Sequence, residues 1–311
     1  MHRKLPRLRL FIWWAMLSAI CLACSTDQDE ELTITFVGDL LLDRGVRERI
    51  ERKGVNSLFH PSIELAFLKS DMVVANLECP ATDVKAPINK RYIFRAEPDW
   101  LLALKEHGIT HLNMANNHAM DQGRKGLVDT QQNIINAEMV PTGFGMNHTE
   151  ACAPQLIANS PRPVYLFSSL RVPSENWTFL ENKPSVCEAS IEHIVEQVRS
   201  LKSTQPNAIS IIQLHWGAEH RSRPMLSQVQ SARALIDVGA DAIIGHHSHT
   251  IQTVEWYQGK PIFYGIGNFI FDQQDSINSE GLLVRFQIKS DEINYTSGRF
   301  VIEQCQPRLV N

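Results

Sequence analysis

Five segments of this chain that read as β-strands each run straight into Asp, Glu, Asn or His, and that recurrence constrains the fold more than any other feature. Leu32-Thr33-Ile34-Thr35-Phe36-Val37 ends at Gly38-Asp39, and Asp71-Met72-Val73-Val74-Ala75 ends at Asn76-Leu77-Glu78. A strand from Thr110 to Met114 ends in Ala115-Asn116-Asn117-His118, and one from Ala208 to Leu214 in His215-Trp216-Gly217. The buried run Asp241-Ala242-Ile243-Ile244 ends in Gly245-His246-His247-Ser248-His249, with Gly245 expected as the break where the chain leaves the sheet. Ligand and catalytic residues of open α/β sheets collect beyond the carboxyl ends of strands, whereas random placement would scatter them.

Helical periodicity over about 98–107, 123–137 and 226–238 alternates with these strands, which predicts an α/β domain without internal repeats. Residues 141–184 carry Pro, Gly and Trp without a clear period and read as irregular loops and short strands. Ile251 to Trp256 and Pro261 to Tyr264 flank Gln258-Gly259-Lys260 and predict a hairpin, while 282–288 and 300–302 read as closing strands. The 311 residues are 43% hydrophobic, enough for a sizeable core. A net charge of -4 gives no basic footprint of the kind a general nucleic-acid binder carries, so no nucleic-acid partner is expected.

The N-terminus has a secretory layout: His2, Arg3, Lys4, Arg7 and Arg9, then the apolar stretch Leu10 to Ala23, then Cys24 and the polar run Ser25 to Glu31. The apolar stretch is shorter than the roughly 20 residues of a membrane-spanning helix. Leu22-Ala23-Cys24 resembles a bacterial lipoprotein cleavage site, although Cys21 stands where that pattern usually has an aliphatic residue. The expected organisation is a signal peptide over 1–23, a short linker over 24–31 beginning at lipidated Cys24, and a domain over 32–311. The product would be anchored by lipid in the cell envelope, in the outer membrane of a cell that has one. A signal cut elsewhere and an uncleaved anchor use the same apolar run. In that oxidising compartment Cys79, Cys152, Cys187 and Cys305 leave two readings open, a Cys152 to Cys187 disulfide or four buried thiols.

The strand ends supply what two divalent cations about 3.5–4 Å apart require, namely a bridging carboxylate, neutral nitrogen or amide-oxygen ligands, and room for hydroxide. Asp39 would bind one metal and Glu78 would bridge, with Asn117 offering its amide oxygen and His215, His247 and His249 their ring nitrogens. One or two divalent ions are expected, and imidazole and carboxylate together suit manganese, zinc or iron. His118 would stabilise developing charge or protonate a leaving group, and Asp121 would orient it through the other ring nitrogen. Taken singly, each has a duller explanation: helix caps for Asp39 and Asp121, turns for Asn76 and Asn117, a solvated loop acid for Glu78, a carbonyl-satisfied ring for His215. Their shared position at strand ends favours the site.

Six motifs occur in order: Phe36-Val37-Gly38-Asp39-Leu40-Leu41-Leu42-Asp43-Arg44; Asn76-Leu77-Glu78; Ala115-Asn116-Asn117-His118 with Asp121 and Gly123; His215-Trp216-Gly217 with Glu219; Gly245-His246-His247-Ser248-His249 with Gln252; and Gly267-Asn268-Phe269. Together, from about Thr33 to Asp272, they resemble the CapA family of poly-γ-glutamate capsule synthesis, related to calcineurin-like metallophosphoesterases. The resemblance implies a four-layer αββα sandwich with the site at one edge of the sheets. It also implies a role in making, exporting or trimming poly-γ-glutamate, with capsule synthase subunits as partners. Two departures stand out: the Asp-x-His pattern would place a histidine at Leu41, and Ser248 replaces a usual proline.

Arg44, Lys90, Arg91, Arg95, Arg221 and Arg223 are candidates to line an anionic substrate. Arg44, Asn76, Tyr92 and Arg95 form the expected substrate-binding set. Lys90-Arg91-Tyr92-Ile93-Phe94-Arg95 reads as a strand near the cleft or as a solvated edge strand. The expected activity is metal-activated water attacking a γ-glutamyl amide or a phosphoester. The alternatives are a non-catalytic component that binds the polyanion or scaffolds a synthase, and a phosphoesterase.

Overall fold

The computed structural model describes residues 30–173, 175–273 and 275–310, so the expected signal segment 1–23 and Cys24 lie outside the described residues. Two sheets dominate. The first runs Gln306–Leu309, Ile293–Glu303, Glu280–Ile288, Leu32–Leu40, Met72–Leu77, His111–Asn113 and Val140–Thr142, with the short strand Asn268–Ile270 paired to Leu32–Leu40. The second runs Val254–Tyr257, Lys260–Phe263, Ala242–His246, Ile209–His215, Val164–Leu170 and Gln155–Ala158.

Side chains alternate across a strand, and the apolar residues accordingly divide into three cores. Ile34, Phe36 and Val74 of the first sheet meet Leu166, Ile209, Ile211, Ala242 and Ile244 of the second, forming the layer between the sheets. The opposite face of the first sheet, with Val37, Val73 and Ala75, packs on helices Gly45–Lys53, Pro61–Phe67, Trp100–Glu106 and Gly123–Asn136 through Ile50, Ile63, Leu104 and Leu127. The opposite face of the second, with Ile212, Leu214 and Ile243, packs on Ile191–Thr204 and Leu226–Asp237 through Val198 and Leu235. Helix, sheet, sheet, helix is the expected four-layer order.

Pairing then sets the strand ends side by side. Leu32–Leu40 runs parallel to Met72–Leu77 with Asp39 opposite Asn76, and parallel to Asn268–Ile270 with Asp39 opposite Asn268. Ala242–His246 runs parallel to Ile209–His215 with His246 opposite His215. Gly38 permits the pairing with Asn268–Ile270: a Cβ there would lie 1.9 Å from the carbonyl oxygen of Gly267.

Three expectations need correction. Gly245 does not break the strand, which continues to His246; its bare Cα is needed because a Cβ would stand 1.9 Å from the carbonyl oxygen of Tyr264. Within 141–184, Val164–Leu170 is a core strand of the second sheet, hydrogen-bonded to Ile209–His215, whereas the sequence shows only an aperiodic stretch. Residues 90–95 form no strand, only an irregular crossing that leads to a single bridge between Ala81 and Ala96. Of the two cysteine readings the structure takes the disulfide, Cys152 to Cys187, with Cys79 and Cys305 free and buried.

Candidate metal centre

All eight residues expected as ligands or acid–base groups arrive at one edge of the sandwich, and all are buried: Asp39, Glu78, Asn117, His118, Asp121, His215, His247 and His249. Donor atoms of Glu78, His215 and His247 lie within 4.8 Å of one another, and so do those of Asp39, Glu78 and His249. Glu78 belongs to both groups. Its Oε1 is 3.8 Å from His215 Nε2 and 3.7 Å from His249 Nε2, while Asp39 Oδ2 is 3.3 Å from His249 Nδ1. Asn117 Oδ1 joins at 2.8 Å from His215 Nε2. Donors bound to one ion at about 2.1 Å stand about 3.0–3.4 Å apart, so these spacings need only slight contraction.

The polar satisfaction of the site fits a cation. Both carboxylate oxygens of Glu78 and Nδ1 of His247 are buried without a hydrogen-bond partner among the described residues. An ionised carboxylate in that condition is costly unless a positive charge meets it. The backbone is also committed: His247 and His249 sit at φ 82° and 52°, the left-handed region that non-glycine residues avoid and that clusters at functional sites.

Around this cluster lies a shell of orienting groups. Asn76, expected on substrate, is instead a fully buried hub. Its Nδ2 donates to Asp39 Oδ1 at 2.8 Å and lies 3.2 Å from His215 Nδ1, while its Oδ1 accepts from Asn113 at 2.9 Å and from Asn116 at 3.3 Å. Substrate cannot reach it there. Asn268 Oδ1 takes His249 Nδ1 at 2.9 Å, which leaves Nε2 toward Glu78, the usual way a neighbouring acceptor sets a ligand tautomer. His118 Nδ1 is bonded to Asp121 Oδ2 at 2.7 Å, and Asp121 also receives Phe94 N at 2.7 Å and Lys90 Nζ at 3.1 Å. Lys90 is buried and caps the Asn117 carbonyl at 2.7 Å, so it acts from beneath the site and not as a substrate-lining cation.

Arg44 reaches the cluster through two aromatic rings. Its guanidinium stands 5.0 Å over Phe94, which stacks on His118 at 4.2 Å, and 5.3 Å over Phe271, whose ring is 4.8 Å from that of His249. It is paired with Asp272 and its backbone sits at φ 53°, ψ -128°. The guanidinium of Arg95 is committed to Glu97 at 3.0 Å and to the Thr82 carbonyl at 2.7 Å, and Tyr92 is exposed with Arg91 over its ring. Neither joins the cluster. Arg221 and Arg223 are exposed.

Burial and mutual charge set opposing protonation states. Burial raises Asp39, but the neighbouring imidazoles of His246 and His249 outweigh it and hold the carboxyl well below its usual range. Glu78 is pushed well above its usual range by burial. Burial would lower His249, yet the carboxylates of Glu78 and Asp39 raise it to about 10. His247 falls to about 4 and His215 well below its usual value through burial and neighbouring histidines. The metal-free site therefore holds a proton on His249 at neutral pH, and a cation bound by that ring must displace it. Affinity for manganese should rise between about pH 6 and about pH 8, by up to about tenfold per unit for each proton released. Calorimetric titration in buffers of different ionisation heat would count the protons released, and a pH-independent affinity would contradict this assignment.

A model of the family described as "Bacterial capsule synthesis protein PGA_cap" matches residues 33–273. The chain belongs to this family. It is 32% identical over 281 residues to the "PGA biosynthesis protein CapA" of Bacillus subtilis (strain 168), covering 89% of this chain and 72% of that one. It is also 32% identical over 276 residues to the "Capsule biosynthesis protein CapA" of Bacillus anthracis, covering 85% of this chain and 66% of that one. Among solved structures, the NAD nucleotidase NadN of Haemophilus influenzae superposes with a TM-score of 0.52 at 10% identity, over 91% of this chain and 54% of that one. That likeness places the PGA_cap chain in the metallophosphoesterase-type fold and says nothing of its substrate. Five of the six motifs read from the sequence are the strand ends that meet here, and the sixth, Gly267-Asn268-Phe269, opens the short strand paired to Leu32–Leu40. Sequence reasoning gave no role to Asn116, Asn268 or His246, although all three stand inside quoted motifs.

Proposed function

We propose that this PGA_cap protein is a divalent-metal-dependent hydrolase that trims poly-γ-glutamate at the cell envelope during capsule synthesis or export. The observation that carries the reading is Glu78, a buried carboxylate shared by two ligand groups with neither oxygen partnered among the described residues. Asp39, Glu78 and His249 would hold one ion, and Glu78, Asn117, His215 and His247 the other. Bound there, manganese, zinc or iron supplies Lewis-acid polarisation and water of lowered pKa. His118, fixed at Nδ1 by Asp121, keeps Nε2 for proton transfer to the departing γ-amide nitrogen as the C–N bond breaks and water adds to the carbonyl carbon. Arg44 beside the two rings offers charge to a substrate carboxylate. Lipidation at Cys24 with export belongs to the same reading, and the Cys152–Cys187 bond supports it, since such bonds persist in oxidising compartments.

Leu41 favours a second reading. It is fully buried in the apolar core where the fold's Asp-x-His pattern would have a ligand, which suits a component that binds polymer or scaffolds a synthase without turnover. The full chain in detergent, loaded with manganese, zinc or iron, should shorten poly-γ-glutamate, and chelator should stop it; chain length by gel filtration reads the result. Polymer that binds but keeps its length would overturn the hydrolase in favour of the scaffold. Turnover of an aryl phosphate alone would give the site to a phosphoester.

A further inference from the structure

His246 is the one histidine of the Gly245–His249 motif that the two ligand groups leave out. It is 1% exposed, and neither ring nitrogen has a hydrogen-bond partner among the described residues. Buried polar groups in native proteins are nearly always satisfied, so this ring requires an explanation. The strand Ala242–His246 supplies its direction. Ala242 and Ile244 point into the layer between the sheets, and strand alternation sends His246 the same way, toward the opposite sheet and Asp39. Its Nδ1 stands 3.4 Å from Asp39 Oδ1, the oxygen that also accepts from Asn76 at 2.8 Å. The other oxygen, Oδ2, faces the His247 backbone amide at 3.2 Å and His249 at 3.3 Å.

We propose that His246 is a positioning residue for the first metal: its Nδ1–H donates to Asp39 Oδ1 and, with Asn76, holds the carboxylate so that Oδ2 is presented to the ion shared with Glu78 and His249. The inference rests on the metal reading above. It matters in this chain because Leu41 lacks an imidazole, so three side chains hold that ion and the aim of Asp39 carries more of the affinity. His246 acts from the second sheet on a ligand from the first, tying the geometry of the site to the apposition of the two sheets.

The test is metal binding by the full chain, not turnover. Wild type should take up two manganese ions. His246→Leu keeps the bulk without the donor and should weaken the first ion by about 10–100-fold, the usual effect of removing a ligand's orienting partner, while the second ion is unchanged. His246→Asn places an amide nitrogen near the position of Nδ1 and should restore affinity to within a few-fold of wild type. Pulsed EPR should count the same number of nitrogens on bound manganese in wild type and both variants. Wild-type affinity in His246→Leu, a tenfold or larger loss in His246→Asn, or one nitrogen fewer in either would overturn the positioning role, the last by making His246 a ligand. Should the leucine variant fail to fold, the asparagine variant and its nitrogen count still decide. Wild type that binds no ion would instead overturn the metal reading itself.

Discussion

Glu78→Ala is expected to empty both metal positions at once, where Asp39→Ala should cost only the first ion and His247→Ala only the second. The asymmetry follows from geometry: the carboxylate of Glu78 is the one side chain common to both ligand groups, with His215 and His247 on one side and Asp39 and His249 on the other. Stability should move in the opposite sense. In the metal-free protein Glu78 is a buried acid with no partner at either oxygen among the described residues, and a group in that state costs folding free energy. Removing it should leave the chelated protein at least as resistant to heat as wild type, the trade expected where a site is built for function. Metal content by mass spectrometry, beside thermal unfolding in chelator, reads both effects. Retention of one full equivalent of metal by Glu78→Ala would show that Glu78 does not bridge.

His118→Ala should keep both ions and lose turnover, with kcat falling by about 10²–10⁴-fold, the ordinary worth of a positioned acid–base group, and KM little changed. No ligand group includes His118; it is joined to the site through its neighbour Asn117 and through Asp121, and its ring is covered by Phe94 at 4.2 Å. Burial lowers its pKa, against the pull of Asp121, so the neutral ring prevails at neutral pH and the proton it delivers must be taken up within the reaction cycle. Asp121→Asn should give a milder version, because the amide no longer dictates which nitrogen carries the proton. Steady-state hydrolysis of poly-γ-glutamate by the metal-loaded variants tests this. A loss that appears only in KM, or that tracks lost metal, would reassign His118 to binding or to ligand support.

Much of the candidate site was legible because strand signals and ligand types coincide. β-branched runs that stop at Asp39, Glu78, Asn117, His215 and His247 can be read without coordinates, since a strand displays its carboxyl end wherever the sheet places it. The orienting shell was not legible. Asn76 looks like any turn asparagine until the register sets it opposite Asp39 and brings Asn113 and Asn116 to its carbonyl. His246 is indistinguishable from His247 in the sequence, and only the face of the strand separates a ring between the sheets from one at their edge. Lys90 and Arg95 read alike as exposed cations, yet one is buried against Asp121 and the other is neutralised by Glu97. Val164–Leu170 was missed because its place inside the second sheet comes from pairing with Ile209–His215, a contact that no local pattern announces.

The sequence by itself therefore determined the alternation of strands and helices, the ligand types and the strand ends that carry them, because those depend on residue identity and short-range periodicity. Tertiary structure alone decided which oxygen of Asp39 meets which ring, that Glu78 is shared, and that Asn76 and His246 stand behind the ligands. Those outcomes depend on register and on the apposition of two sheets, in which residues separated by many tens of positions come within a few ångströms. Long-range distances of that kind are set by the packing of the whole core, and no window of sequence contains them.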